Sequence, residues 1–305
     1  IHFYFQRLHK YRGAIMAVDP ALLTQSIING ILNGLLYSLA ALGLALIFGV
    51  MDIINFAHGD FIMIAAYLTF IFATTLHTDA ALTAVLTIPL FFILGLAIYK
   101  GIIERILGAE PLIQIATTVG LLLVLRNLAL AIFHAEPKGV PVTPLGIPIY
   151  LGPIAIPLSR LIGGAVSLGA LFAVHLLLTR TKWGVAVRAI SDDREIASLM
   201  GINIKRVYAI TFGLGIALTA LPAALIMEFS RADPYLGLLY GLLSWIIVAM
   251  GGLGGVEGVL YSGLILGLIE SLGCSLINPS ARELYLYITF LVLLWIRPRG
   301  LFAKR

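Results

Sequence analysis

The sequence predicts an all-α, polytopic transmembrane bundle of about eight or nine helices, with broken helices in both halves. Three observations carry that prediction. The 305-residue chain is 60% hydrophobic and 11% charged, whereas soluble domains are nearer a quarter charged. Its mean hydropathy is +1.04, more apolar surface than one water-soluble core can hide. Uninterrupted apolar runs recur along the whole length, many close to the ~20 residues a helix needs to cross a bilayer. Helices and closed barrels alone satisfy their backbone in lipid, and these runs are too long and too uniformly apolar for barrel strands.

Residues 1–15, "IHFYFQRLHKYRGAI", precede Met16 and are basic and aromatic, so they are set apart from the fold as an N-terminal extension, upstream or foreign, or as an interfacial segment. Residues 16–305 then form a single transmembrane domain. Its apolar runs fall at 21–50, 60–76, 80–99, 111–134, 161–179, 207–229, 238–250, 256–277 and 284–296. Small residues at fourfold spacing, Gly30/Gly34/Ser38 and Gly263/Gly267/Ser271, are read as stripes where helix backbones approach closely.

Charge orients the bundle. The loop at about 180–206 carries Arg180, Lys182, Arg188, Arg194, Lys205 and Arg206, and the tail carries Arg297, Arg299, Lys304 and Arg305. Half of the chain's 20 basic residues lie in these two places, so both are expected in the cytoplasm. Alternating crossings put Lys100 and Arg105 inside, and the Pro-rich 135–160 segment outside.

Two interruptions stand out. In "MDIINFAHGDFIMIAAYLTF", Asp52, Asn55, His58, Gly59 and Asp60 break one apolar ribbon. In "WIIVAMGGLGGVEGVLYSGL", Gly251, Gly252, Gly254, Gly255 and Gly258 surround Glu257. Paired discontinuities in the two halves of a membrane chain point to a transport path. Asn55, His58, Gly59, Asp60, Gly252, Gly254, Gly255 and Glu257 are therefore expected to line it; the alternative is that both breaks are cytoplasmic turns with glycine for tight packing. Arg126 and Glu270 lie inside apolar runs, where charge is costly; they are expected either to pair with each other or to face a wet cavity.

Other chemistries lack their residues. Cys274 is the one cysteine, which excludes an internal disulfide or a Cys-based metal site. There is no G-x-x-x-x-G-K-[ST], and Glu257 stands where a dinucleotide fingerprint needs its third glycine. No H-E-x-x-H or G-x-S-x-G appears, so no covalent catalysis is expected of this chain.

Within the basic loop, "SDDREIASLMGI" predicts a short amphipathic helix. Asp192 and Asp193 favour its N-terminus, Ile196, Leu199 and Met200 form one apolar face, and Gly201 ends it. A helix exposed there with an apolar face calls for a partner groove.

That loop resembles the coupling segment of ABC-importer permeases, whose motif reads E-A-A, three residues, then G. Here Glu195, Ile196 and Ala197 are followed by Ser198–Met200 and Gly201. Ile196 replaces the first alanine, and the proline of the wider motif is missing. With "NGLLYSLAALGLALIFGVMDIINFAHGDFIMIAAY", "MGGLGGVEGVLYSGLILGLIES" and the ending "RPRGLF", the chain from about residue 20 onward resembles the permease subunits of branched-chain amino acid ABC importers. The resemblance implies a second permease, homologous or identical, and two cytoplasmic ATPases docked through Asp192, Asp193, Glu195, Ala197, Leu199, Met200 and Gly201. It also implies a solute-binding protein outside the bacterial or archaeal plasma membrane, a cytoplasmic C-terminus, and ATP-Mg held by the partners alone. Relatives that carry urea or short amides make such a substrate the alternative. An ion-coupled secondary transporter and a passive channel for a small neutral solute are the rivals without an ATPase.

Overall fold

In a computed structural model, residues 19–141, 147–252, 255–297 and 300–302 are described. The extension at 1–15, Gly254 and the tail cations Arg299, Lys304 and Arg305 lie outside them. Among the described residues eight helices are long and apolar enough to cross a membrane, and a ninth is shorter. In chain order they are α1 (Pro20–Met51), α2 (His58–Leu76), α3 (Ala80–Ile106), α4 (Pro111–Phe133) and α5 (Leu158–Arg180). Two short helices follow, α6 (Lys182–Asp192) and α7 (Arg194–Leu199). Then come α8 (Ile204–Ile226), the shorter α9 (Leu236–Gly251), α10 (Val256–Leu276) and α11 (Pro279–Ile296). The Pro-rich segment, expected to be loop, also holds an antiparallel hairpin, β1 (Pro148–Leu151) and β2 (Ile154–Pro157). Gln25 of α1 pins it, donating to Ala155 O at 3.0 Å and accepting from Ala155 N at 2.9 Å.

Local chemistry sets the helix ends. Asp19 caps α1 by accepting from Ala21 N at 2.9 Å, with Pro20 in the first turn. Asp52 stops α1 in the left-handed region at φ 54°. Inside α3 the helix widens into a π segment at Tyr99–Ile103.

α1 and α8 are the most enclosed spans; α4 and α11 lie at the periphery. α1 packs chiefly on α10, α8 and α5, while α3 packs on α8 and α9 on α2. The small-residue stripes pack as expected. Gly30 faces Gly267, Gly34 faces Gly263, and Ser38 Oγ donates to Gly34 O at 2.8 Å and Leu260 O at 3.3 Å. A methyl on Gly34 would lie 2.7 Å from Gly263 O, so only backbone movement admits it. Gly34→Val is expected to cost about 1–3 kcal/mol or more, read as a lower melting temperature of the detergent-solubilised chain. An unchanged melting temperature would contradict this packing.

The bundle has two distinct ends. At one, Ser191 Oγ of α6 donates to Gly49 O at 2.9 Å, Lys205 pairs with Glu104 at 3.0 Å, and Leu301 N donates to Met250 O at 2.8 Å. The basic loop and the described C-terminal residues therefore emerge together. At the other end lie the hairpin, the backbone pair Lys138–Ala232, and a hydrogen bond from Ala81 N to Glu228 at 2.8 Å.

Candidate functional site

The first interruption folds back into the bundle. After Asp52 the chain leaves the helix and returns alongside α1, so that His58 Nε2 meets Ala40 O at 2.9 Å. Ala40 lies eleven residues before the end of α1, roughly 16 Å back along its axis at 1.5 Å per residue. α2 thus starts within the packed helices rather than at their rim. Gly59 makes this possible: a methyl there would sit 2.0 Å from Gly237 O and 2.5 Å from the Gly241 backbone, both on α9. Thr118 of α4 donates to Ile54 O at 2.9 Å, and Asn55 Oδ1 accepts from Ala57 N at 3.1 Å.

None of the four residues expected to line a path here borders open space. Asn55, His58 and Asp60 are 0%, 0% and 1% exposed, and Gly59 is buried. Asp60 takes two hydrogen bonds from Arg126, at 3.0 and 3.1 Å. The pairing expected of Arg126 and Glu270 is corrected: Arg126 reaches Asp60 because α4 packs on α2, whereas Glu270 is paired with Arg282 at the start of α11. Buried ionic groups need a partner at hand, and each finds the one on its neighbouring helix.

The second interruption is placed elsewhere. Gly251 and Gly258 pack backbone to backbone, with a methyl on Gly258 falling 2.1 Å from Gly251 O. Gly252 takes φ 73°, and Gly300 packs against it. Gly255 and Glu257 are exposed. The two interruptions lie against different parts of α9, with Phe56 of the first on Trp245 at 5.5 Å. α9 separates them, with its start at Gly237 and Gly241 against Gly59 and its end at the glycine turn. From Gly241 to Gly251 is roughly 15 Å of helix.

One turn from the His58–Ala40 contact, on the side away from the basic loop, lies a cavity of about 560 Å³, within the usual range of small-molecule sites. Tyr37 and Tyr240 meet edge to face at 6.5 Å in its wall. Four charged residues line it: Arg160 (α5), Asp233, Glu270 (α10) and Arg282. Arg282 donates to both Glu270 Oε1 and the Tyr37 hydroxyl. Arg160 lies over the Phe229 ring at 5.4 Å, and Asp233 accepts from Tyr235 N at 2.8 Å. Glu270 was singled out as an intramembrane charge, to pair with Arg126 or to face a wet cavity; it lines this one. Arg160, Asp233 and Arg282 sit near helix ends, where charge is ordinary, so nothing in the sequence singled them out.

At the opposite end the loop helix forms as expected, with one shift. Asp192 closes α6; Asp193 is the extended N-cap of α7, accepting from Glu195 N at 2.8 Å and Ile196 N at 2.9 Å. Gly201 ends it at φ 85°. Ala197 is buried against the bundle at 2%, while Ile196, Leu199 and Met200 are 59%, 86% and 78% exposed.

Comparison with known proteins agrees with this architecture. Residues 26–296 match the family described as "Branched-chain amino acid transport system / permease component". The chain is 27% identical to the high-affinity branched-chain amino acid transport system permease protein BraD of Pseudomonas aeruginosa, covering 92% of this chain and 95% of that protein. It is 26% identical to the corresponding protein LivH of Escherichia coli K12, with the same coverage. Among solved structures, PsaBC from Streptococcus pneumoniae in complex with Fab shares the fold. The TM-score is 0.52 at 14% identity, covering 96% of this chain and 97% of that one. The match over residues 26–296 places this chain in the family of branched-chain amino acid transport system permease components.

Proposed function

We propose that this chain is the membrane-spanning permease of an ATP-driven importer for branched-chain amino acids. A second permease, two cytoplasmic ATPases and an external binding protein complete the assembly. The observation that carries this reading is α7. Three large apolar side chains stand exposed on a helix held rigidly by Asp193 and Gly201, at the end shared by the basic loop. The positive-inside rule assigns that end to the cytoplasm. An apolar knob there, rooted through Ala197 and through Arg194 over the Tyr208 ring at 5.7 Å, transmits force from a docked subunit into α8. The cavity lies at the other end, where an external protein delivers its cargo. Nucleotide is held by the ATPases, and this chain makes and breaks no covalent bonds.

The relatives named above are described as branched-chain amino acid permeases, which favours aliphatic amino acids over urea or amides as cargo. The closed packing of Gly59 against Gly237 and Gly241, beyond the cavity, is the barrier that ATP-driven movement opens; Asn55, His58 and Asp60 then border the route. Reconstitution in proteoliposomes with the ATPases and the binding protein tests this. Uptake of radiolabelled leucine is expected to require both internal-face ATP and the binding protein. Downhill flux through this chain alone, or uptake driven by an ion gradient without ATP, would overturn it.

A further inference from the structure

Glu270 borders the cavity yet is 3% exposed, and its shielded Oε2 has no close hydrogen-bond partner. An unpaired carboxylate oxygen buried in a helix bundle is costly. The Tyr37 hydroxyl stands beside it, and a cationic or donor group of a ligand in the cavity would complete the set. Arg282 uses Nε and one terminal nitrogen on Glu270 and Tyr37. Arg160 has no carboxylate partner among the described residues and lies over the Phe229 ring. The cavity thus holds two cations and two anions, and both signs retain unused hydrogen-bonding capacity. Leu36, Leu239 and Phe229 supply apolar wall beside them.

The geometry points to this cavity as a recognition site, within the permease itself, for the head group of a zwitterionic α-amino acid. Arg160 and Arg282 receive the carboxylate, the Glu270 carboxylate and Asp233 receive the ammonium, and the apolar wall takes an aliphatic side chain. A balanced set of two charges of each sign suits a ligand that is ionised at both ends yet neutral overall. It disfavours a solute with only one of the two charged ends, which leaves the opposite set unpaired. Urea and simple amides offer these groups neutral hydrogen bonds but no counter-charge. This inference rests on the reading of the chain as an amino acid permease, and it adds that selectivity is exercised a second time after delivery.

The test is equilibrium binding of radiolabelled L-leucine to the permease complex in nanodiscs, without the binding protein. Leucine binding is expected to be competed by valine. Leucinamide, which lacks the carboxylate, and 4-methylpentanoate, which lacks the ammonium, should fail at the same concentration. Arg160→Gln and Asp233→Asn are each expected to weaken binding roughly tenfold or more, as loss of a charge-assisted hydrogen bond does. Glu270→Gln should do likewise, but it strips Arg282 of its partner, so the two rim variants keep the test decisive if that protein fails to fold. Unchanged binding in both rim variants, or competition by leucinamide and the acid as strong as that by valine, overturns the site. Those outcomes with ATP-driven leucine uptake intact in the parent complex remove the site and leave the importer reading standing. Absence of uptake in the parent removes that reading instead.

Discussion

Asp60→Leu is expected to destabilise the bundle by about 3–5 kcal/mol, because it leaves a partly buried arginine without its counter-charge. Arg126 has 16% of its side chain exposed and both of its carboxylate bonds go to Asp60. α4 is otherwise held mainly by Thr118 on Ile54 O and by Phe133 stacked on Tyr67 at a ring separation of 4.1 Å. Losing the ion pair therefore loosens the attachment of a peripheral helix to the point where α2 begins. Replacing both residues, Asp60→Leu with Arg126→Leu, removes the orphaned charge along with the pair, and is expected to recover most of the lost stability. Melting of the wild type, the two single variants and the double variant in detergent measures the coupling. Uptake measured on the same four proteins separates two roles for Asp60. A stable double variant without uptake identifies a carboxylate needed by the route; a stable double variant with normal uptake identifies a fastening. Equal stability of Asp60→Leu and the double variant would contradict the ion pair as a stabilising contact.

The helices were legible because lipid-facing segments must be apolar along their length, and each run from 21–50 to 284–296 corresponds to a helix. The glycine and serine stripes were legible for a related reason: small residues at fourfold spacing have one strong use in a membrane, and Gly34 against Gly263 is that use. The α7 cap was legible from Asp193 and Gly201, since both act within a few residues of themselves in sequence. What sequence could not give was which breaks adjoin which. Asn55–Asp60 and Gly252–Glu257 read as two halves of one opening, yet α9 holds them apart because its own start, at Gly237 and Gly241, fills the place beside Gly59. Ion-pair partners were hidden likewise. Arg126 and Glu270 are the two charges deep in apolar runs, but Asp60 was read as lining a path and Arg282 sits at a helix start, so neither was matched to its partner. The cavity joins α1, α5, the segment before α9, and α9, α10 and α11, so no local pattern announces it.

Leu199→Asp with Met200→Asp is expected to abolish ATP-driven uptake while leaving the melting temperature within a few degrees of the wild type. Both side chains are more than three-quarters exposed, so the folded chain on its own loses little. In a docked assembly the same two positions become a buried apolar contact, where removing a central anchor costs about 2 kcal/mol or more and where a carboxylate adds desolvation to the loss. Together the two changes should reduce ATPase capture by roughly a thousandfold, taking about 2 kcal/mol at each position. Gly201→Pro acts by a different route. Gly201 has φ 85°, which proline, fixed near −65°, does not reach; the chain must leave α7 in another direction, and the knob is misaimed though its apolar residues remain. Glu195→Arg, on the exposed first turn of α7, places a cation at the positive end of the helix and is expected to weaken docking less than the other two. Ser198→Ala, on the same exposed turn, is the control and should behave as wild type. Co-purification of the tagged ATPase with each variant, alongside melting and uptake, gives the ranking. Wild-type ATPase capture and uptake by the Leu199→Asp, Met200→Asp protein would mean that force enters the bundle somewhere other than α7.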